Sequence, residues 1–99
     1  MAAVLVLVTY RARPGAEEQL SGVLRTHVAR LRELGFIADK PHFAAARPDQ
    51  PGTFVESFWW VGPGAIEQAH DHPDVQEIWM RIEDLCAEPV QSIELLPLD

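Results

Sequence analysis

The run Thr53-Phe54-Val55-Glu56-Ser57-Phe58-Trp59-Trp60-Val61 carries large apolar side chains at both odd and even positions. Successive side chains of a β-strand point to opposite faces. Phe54, Phe58 and Trp60 therefore project one way, and Val55, Trp59 and Val61 the other. Such a strand needs cover on both faces. Val4-Leu5-Val6-Leu7-Val8-Thr9-Tyr10 makes the same demand, because its β-branched and aliphatic residues leave no polar face. With 99 residues the chain is read as a single domain spanning 1–99. Whatever covers the second sheet face has to be found within a small domain or come from a second copy.

Helical periodicity is confined to two segments. Leu20, Val23, Leu24, Val28, Leu31 and Leu34 recur at spacings of three and four and form one apolar stripe. Glu17 and Glu18 precede the stripe and Arg30 and Arg32 close it, as the helix dipole favours. Gly35 is placed to stop the helix in the left-handed conformation, with Phe36 folding back over the stripe. The second stripe is Val75, Ile78, Trp79, Ile82, Leu85 and Cys86. Pro73 suits its first helical position, where a missing N–H costs nothing, and Pro89 follows its end. Between the third strand and this helix, Gly62-Pro63-Gly64 reads as a break and Ala65 to Ala69 as a short helical turn.

Pro41 to Arg47 is a weaker, alanine-rich strand, followed by the turn cluster Pro48-Asp49-Gln50-Pro51-Gly52. Val90 to Leu98 is the last strand, with Pro97 marking an edge or its close. The order is β-α-β-β-α-β. This is the α+β, ferredoxin-like arrangement of two helices on one face of a four-stranded antiparallel sheet. The uncovered aromatic face would cost roughly 25 cal/mol for each Å² left in water. The expectation is a homodimer whose sheets pack face to face.

Charge and cysteine content narrow the class. The net charge is −7, and Arg81 is the only lysine or arginine after Pro51. A chain without a dense basic patch is not built to neutralise phosphates, which argues against nucleic-acid binding. Val4 to Val8 is too short to span a bilayer and lacks signal-peptide flanks, so no membrane role is expected. The single cysteine, Cys86, forms no intrachain disulfide, which fits a reducing cytoplasm, and it reads as a small buried hydrophobe.

Candidate chemistry concentrates in Ala65-Ile66-Glu67-Gln68-Ala69-His70-Asp71-His72-Pro73-Asp74, just after the aromatic strand. His70 and His72 would share a face in a strand but diverge at a helix start, and His72 before Pro73 suits an N-cap. A metal site would need converging third and fourth ligands, so no metal is expected. His27 sits on the first helical stripe, either as a satisfied core histidine or as a polar group lining a cavity. Trp59, Trp60 and Trp79 are core or interface aromatics, or surfaces on which a flat ligand stacks. Tyr10 offers a hydroxyl to a phenolate or across a dimer. Glu56 shares a face with Phe54 and Phe58, so it is inward or interfacial; it is either a base with a raised pKa or the partner of Arg11 or Arg47. His42 lies beside the small residues Ala44 and Ala46, with no assigned role.

The chain resembles the dimeric α+β barrel superfamily, and within it the antibiotic biosynthesis monooxygenases. The resemblance rests on Val8-Thr9-Tyr10-Arg11-Ala12-Arg13-Pro14-Gly15 leading into the first helix. It rests also on Phe54-Val55-Glu56-Ser57-Phe58-Trp59 followed by Ala65-Ile66-Glu67-Gln68-Ala69-His70. It implies a cavity between the sheet and the helices of each subunit. Some members of the family oxygenate aromatic polyketides or quinols without metal or flavin; others cleave haem, isomerise lactones or only bind ligands. The haem-degrading members carry an asparagine, a tryptophan and a histidine where this chain has Val8, His70 and Met80, which sets haem degradation aside. The oxygenases often use an asparagine, tryptophan and tyrosine set; this chain offers histidine, tryptophan and Tyr10. The resemblance puts His70 at the cavity rim as candidate general base. His27, Trp59, Trp60, Trp79, Tyr10 and Glu56 are the candidate substrate-binding residues. The expected function is cofactor-independent monooxygenation of a small aromatic or quinol-type molecule. The alternatives are a non-catalytic ligand-binding or assembly module and an isomerase or cyclase.

Overall fold

The computed structural model describes residues 2–98. Its elements are β1 (Val4–Arg11), α1 (Glu17–Glu33), β2 (Phe43–Ala46), β3 (Thr53–Trp60), α2 (Pro63–Asp71), α3 (Pro73–Leu85) and β4 (Gln91–Leu95). The strands form one antiparallel sheet in the order β2-β3-β1-β4. The ferredoxin-like α+β reading therefore holds. β1 extends one residue past its apolar run and β3 stops one short, whereas β2 and β4 are much shorter than expected; they lie at the sheet edges, where only one neighbour supplies hydrogen bonds.

One segment differs from its sequence reading. Gly62-Pro63-Gly64 does not merely end a strand; Pro63 starts α2, which runs nine residues to Asp71. Proline is pre-set for the first helical turn, and neither neighbouring glycine obstructs it. His72 then closes α2 and opens α3, and its Nδ1 accepts the Asp74 backbone N–H at 3.1 Å. The expected N-cap is formed by the ring itself.

Register places the inward face. Val6 pairs with Phe58, Val8 with Glu56 and Tyr10 with Phe54 across β1 and β3. All six even-numbered side chains face the helices, where Leu20, Leu24, Val28 and Leu31 of α1 and Val75 and Ile82 of α3 complete the core. The odd-numbered side chains Leu5, Leu7, Val55 and Trp59 lie on the opposite face and are only partly buried. Phe43 (51% exposed) and Ile93 (54%) extend that outer apolar surface.

The basic first half and acidic second half meet within the chain. Arg13 Nε donates to the Asp84 carbonyl at 2.8 Å, and Arg30 Nη2 reaches Asp74 Oδ2 at 3.0 Å. Both contacts are exposed and add little stability.

The end of α1 is fixed by hydrogen-bond geometry. The Gly35 N–H bonds the Arg32 carbonyl and the Phe36 N–H bonds the Leu31 carbonyl, the pattern of a Schellman stop. Gly35 has φ +88°, and a Cβ there would meet nothing within 4 Å, so its requirement is conformational rather than steric. Gly64, inside α2, has equally open space but no positive φ. Gly35→Ala is expected to destabilise the protein by about 1–2 kcal/mol. Gly64→Ala should be neutral or stabilising by up to about 1 kcal/mol. Paired urea melts check the opposite signs, and a neutral Gly35→Ala would refute the account of this helix end.

Candidate functional site

A cavity of about 270 Å³ lies between the sheet and the helices. Val8 and Tyr10 of β1, Phe58 and Trp60 of β3 and Ser92 of β4 form its floor. Ile66 and His70 come from α2, and Trp79, Ile82 and Glu83 from α3. His27 of α1 and Val90 complete the wall. The exposed members, His70, Glu83 and Ser92, mark the mouth.

The aromatic lining is packed edge to face. Phe58 and Trp60 have ring centroids 5.4 Å apart, and Trp60 and Trp79 lie at 6.3 Å and 89°. His70 stands against Trp79 at 4.7 Å and 72°, so the rim imidazole and the indole form one corner of the mouth. Aromatic pairs prefer such edge-on geometry.

Behind this lining runs a buried polar chain. The Tyr10 hydroxyl donates to Glu56 Oε1 at 2.6 Å. His27 Nδ1 lies 3.0 Å from Oε1 and 3.2 Å from Oε2 of the same carboxylate. The Trp79 indole Nε1–H donates to His27 Nε2 at 2.9 Å. An indole N–H only donates, so Nε2 is the unprotonated nitrogen and Nδ1 bears the hydrogen directed at Glu56. The chain thus links β1, β3, α1 and α3 through four side chains.

The structure sorts the sequence candidates. His70, His27, Tyr10, Trp60 and Trp79 converge on the one cavity. Glu56 and Trp59 are not part of its lining. Glu56 is fully buried one layer back and pairs with neither Arg11 nor Arg47; Arg11 contacts Thr53 and Glu88, and Arg47 is held by Asp49. Tyr10 does not reach outward across a dimer, because its even position turns the hydroxyl to Glu56. Trp59 lies on the outer sheet face with the Lys40 ammonium 4.7 Å from its ring centroid. Neighbouring strand positions cannot both face the cavity, and Trp60 takes the inward side. His42 accepts from Arg32 Nη2 at 3.1 Å, away from the cavity. Glu83 and Ser92 were not singled out from sequence. Glu83 follows Trp79 by four residues on the same helix face, and that spacing is the signal that finds it.

Burial, then the Glu56 charge and hydrogen bond, raise the Tyr10 pKa far above its ordinary value of 10.0. A raised folded-state pKa means that the native protein holds a proton the unfolded chain releases. This contribution to stability is complete below about pH 10 and declines as pH rises above it. Tyr10 is the only tyrosine, so tyrosinate absorbance reports it alone. The band should stay absent at about pH 11 while the fold persists and develop only with loss of the circular dichroism signal. Tyrosinate titrating near pH 10 in a folded protein would contradict the buried bond.

No protein-family model and no curated protein matches the chain. Solved structures do. Rv0793 from Mycobacterium tuberculosis is 20% identical, with 99% of this chain and 97% of that one covered, at a TM-score of 0.80. An antibiotic biosynthesis monooxygenase is 14% identical over 97% of this chain and 99% of that one, at 0.79. A variant of SnoaB, a cofactor-independent oxygenase from Streptomyces nogalater, is 13% identical over 100% and 96%, at 0.80. At such identities the likeness is one of architecture: the chain has the ferredoxin-like α+β fold of the antibiotic biosynthesis monooxygenases.

Proposed function

We propose that this protein is a cofactor-independent monooxygenase that binds a compact aromatic or quinol-type molecule between its sheet and helices. The observation that carries the reading is the aromatic-walled cavity with an accessible imidazole at its mouth, His70 against Trp79. Trp60, Phe58 and Trp79 supply faces and edges for a flat ring. His70 takes the proton of a phenol, and imidazole chemistry suits that task near neutral pH. The resulting electron-rich anion reacts with O₂ to give a peroxide at carbon. Loss of water then leaves one oxygen atom on the product, and the electrons come from the substrate itself. Apolar walls keep bulk water from the anion and the peroxide. The fold of the Streptomyces nogalater oxygenase supports the reading at the level of architecture.

A second reading is a non-catalytic ligand-binding module. What favours it is that Tyr10, His27 and Trp79 satisfy one another and Glu56, leaving His70, Glu83 and Ser92 as the polar side chains free to meet a ligand. Oxygen consumption with a panel of hydroquinones separates the readings. Turnover should fall at least about 100-fold in His70→Ala. Equal rates in the two proteins remove His70 from the mechanism. Thermal stabilisation without oxygen uptake supports the binding module, and turnover without oxygen supports an isomerase or cyclase.

The same proposal includes a homodimer of this single domain, formed through the outer sheet faces in a cytoplasmic setting. Its support is the apolar surface of Leu5, Leu7, Phe43, Val55, Trp59 and Ile93. Cys86 is buried, and burial raises its thiol pKa, which suits an inert reduced cysteine. Light scattering at micromolar concentration should give twice the mass of the chain, and Val55→Glu should halve it. A stable monomer in the unmodified protein excludes the dimer.

A further inference from the structure

Glu56 is fully buried, and both of its partners are hydrogen-bond donors without a formal charge. The Trp79 N–H points at His27 Nε2 from 2.9 Å, so in this arrangement the imidazole meets Glu56 as a neutral donor through Nδ1. A proton on Glu56 Oε2 would find no acceptor, since its one hydrogen-bond partner among the described residues is the His27 Nδ1–H. Every donor in the chain is thus matched, with the Glu56 carboxylate as the terminal acceptor. Among the described residues no arginine or lysine is paired with it.

An uncompensated buried charge projects its potential into the nearest low-dielectric space. Here that space is the cavity, because Tyr10 and His27 hold Glu56 with their polar ends and line the cavity with their rings. Glu83 places a second carboxylate at the mouth, and among the described residues no lysine or arginine lines the space. Size adds a further restriction. An apolar cavity of about 150 Å³ accommodates benzene. The 270 Å³ present here therefore suits roughly two fused rings.

We propose that this cavity selects flat bicyclic aromatics that are neutral or cationic and rejects those bearing a carboxylate, with Glu56 and Glu83 as the specificity-determining groups. The proposal rests on the reading of the cavity as a ligand site. It is consistent with the chemistry above: a phenol enters uncharged, and its proton stays at the mouth on His70. Ionisation then adds no net charge to the space.

Tryptophan fluorescence reads the test directly, because Trp60 and Trp79 line the cavity. Naphthol, naphthoate and naphthylmethylammonium are matched in size and differ in charge. The neutral and cationic probes should bind at least about tenfold more tightly than naphthoate near neutral pH. Glu83→Gln changes an exposed residue and should keep the fold. It should raise naphthoate affinity about threefold or more relative to naphthol, narrowing the gap between the two probes. Glu56→Gln should narrow the gap further; should it fail to fold, Glu83→Gln and the three probes still decide. Equal affinity for all three probes overturns the selectivity while leaving a ligand site. Absence of binding by every probe at millimolar concentration overturns both. Lack of oxygen uptake with normal probe selectivity sinks the oxygenase reading alone.

Discussion

The buried carboxylate of Glu56 is the constraint on which the rest of this structure turns. Removing a charge from water is expensive, and such a group persists only where hydrogen bonds replace its hydration. Tyr10 and His27 provide those bonds from β1 and α1, and Trp79 fixes the His27 ring from α3. Each bond to a charged group contributes on the order of 1.5–3 kcal/mol, and an orphaned member costs more than its bond is worth. One side chain in the middle of β3 therefore dictates where two helices stand relative to the sheet. The cavity is the space left beside that arrangement.

The main elements were legible because they follow from local rules. The stripe of α1, its acidic start and its Gly35 stop agree with one another, and His72 before Pro73 marks a helix start on its own. Strand alternation also sorted the side chains of β3 into two faces, but which face turns to the helices emerged only from the structure. What the sequence did not disclose is which inward polar groups meet. Tyr10, His27 and Glu56 are 46 and 29 residues apart along the chain in their contacts, so only tertiary register joins them. A signal was present all the same. Three polar residues lay on inward faces of three elements, and buried polar groups have to satisfy each other. The arginine pairing expected for Glu56 follows charge, whereas burial demanded neutral donors that fit beneath a helix.

Trp59 and Trp60 show the limit of composition as a guide. Adjacent tryptophans suggest a shared aromatic site, yet the pleat sends one to the cavity and one to the outer face beneath Lys40. The helix α2 was underestimated for a different reason. Glycine and proline punctuate chains in either direction, and Pro63 serves equally as the end of a strand and the first residue of a helix. Likeness of fold to known oxygenases does not remove these distinctions, because chemistry resides in the side chains that a shared backbone presents.

The pairing of Val8 with Glu56 has a consequence for how this sheet can vary. A slip of one residue in β3 would exchange its two faces. It would put Ser57 and Trp59 against the helices and leave Glu56 among the apolar side chains outside. Apolar residues flank both faces, so hydrophobicity alone would penalise that slip only weakly. The carboxylate penalises it strongly, because the Tyr10 hydroxyl and His27 would lose their acceptor together. Glu56 thus acts as a register lock for a strand that could otherwise be read from either side, and an insertion or deletion within Thr53–Trp60 is the change this fold is least able to absorb.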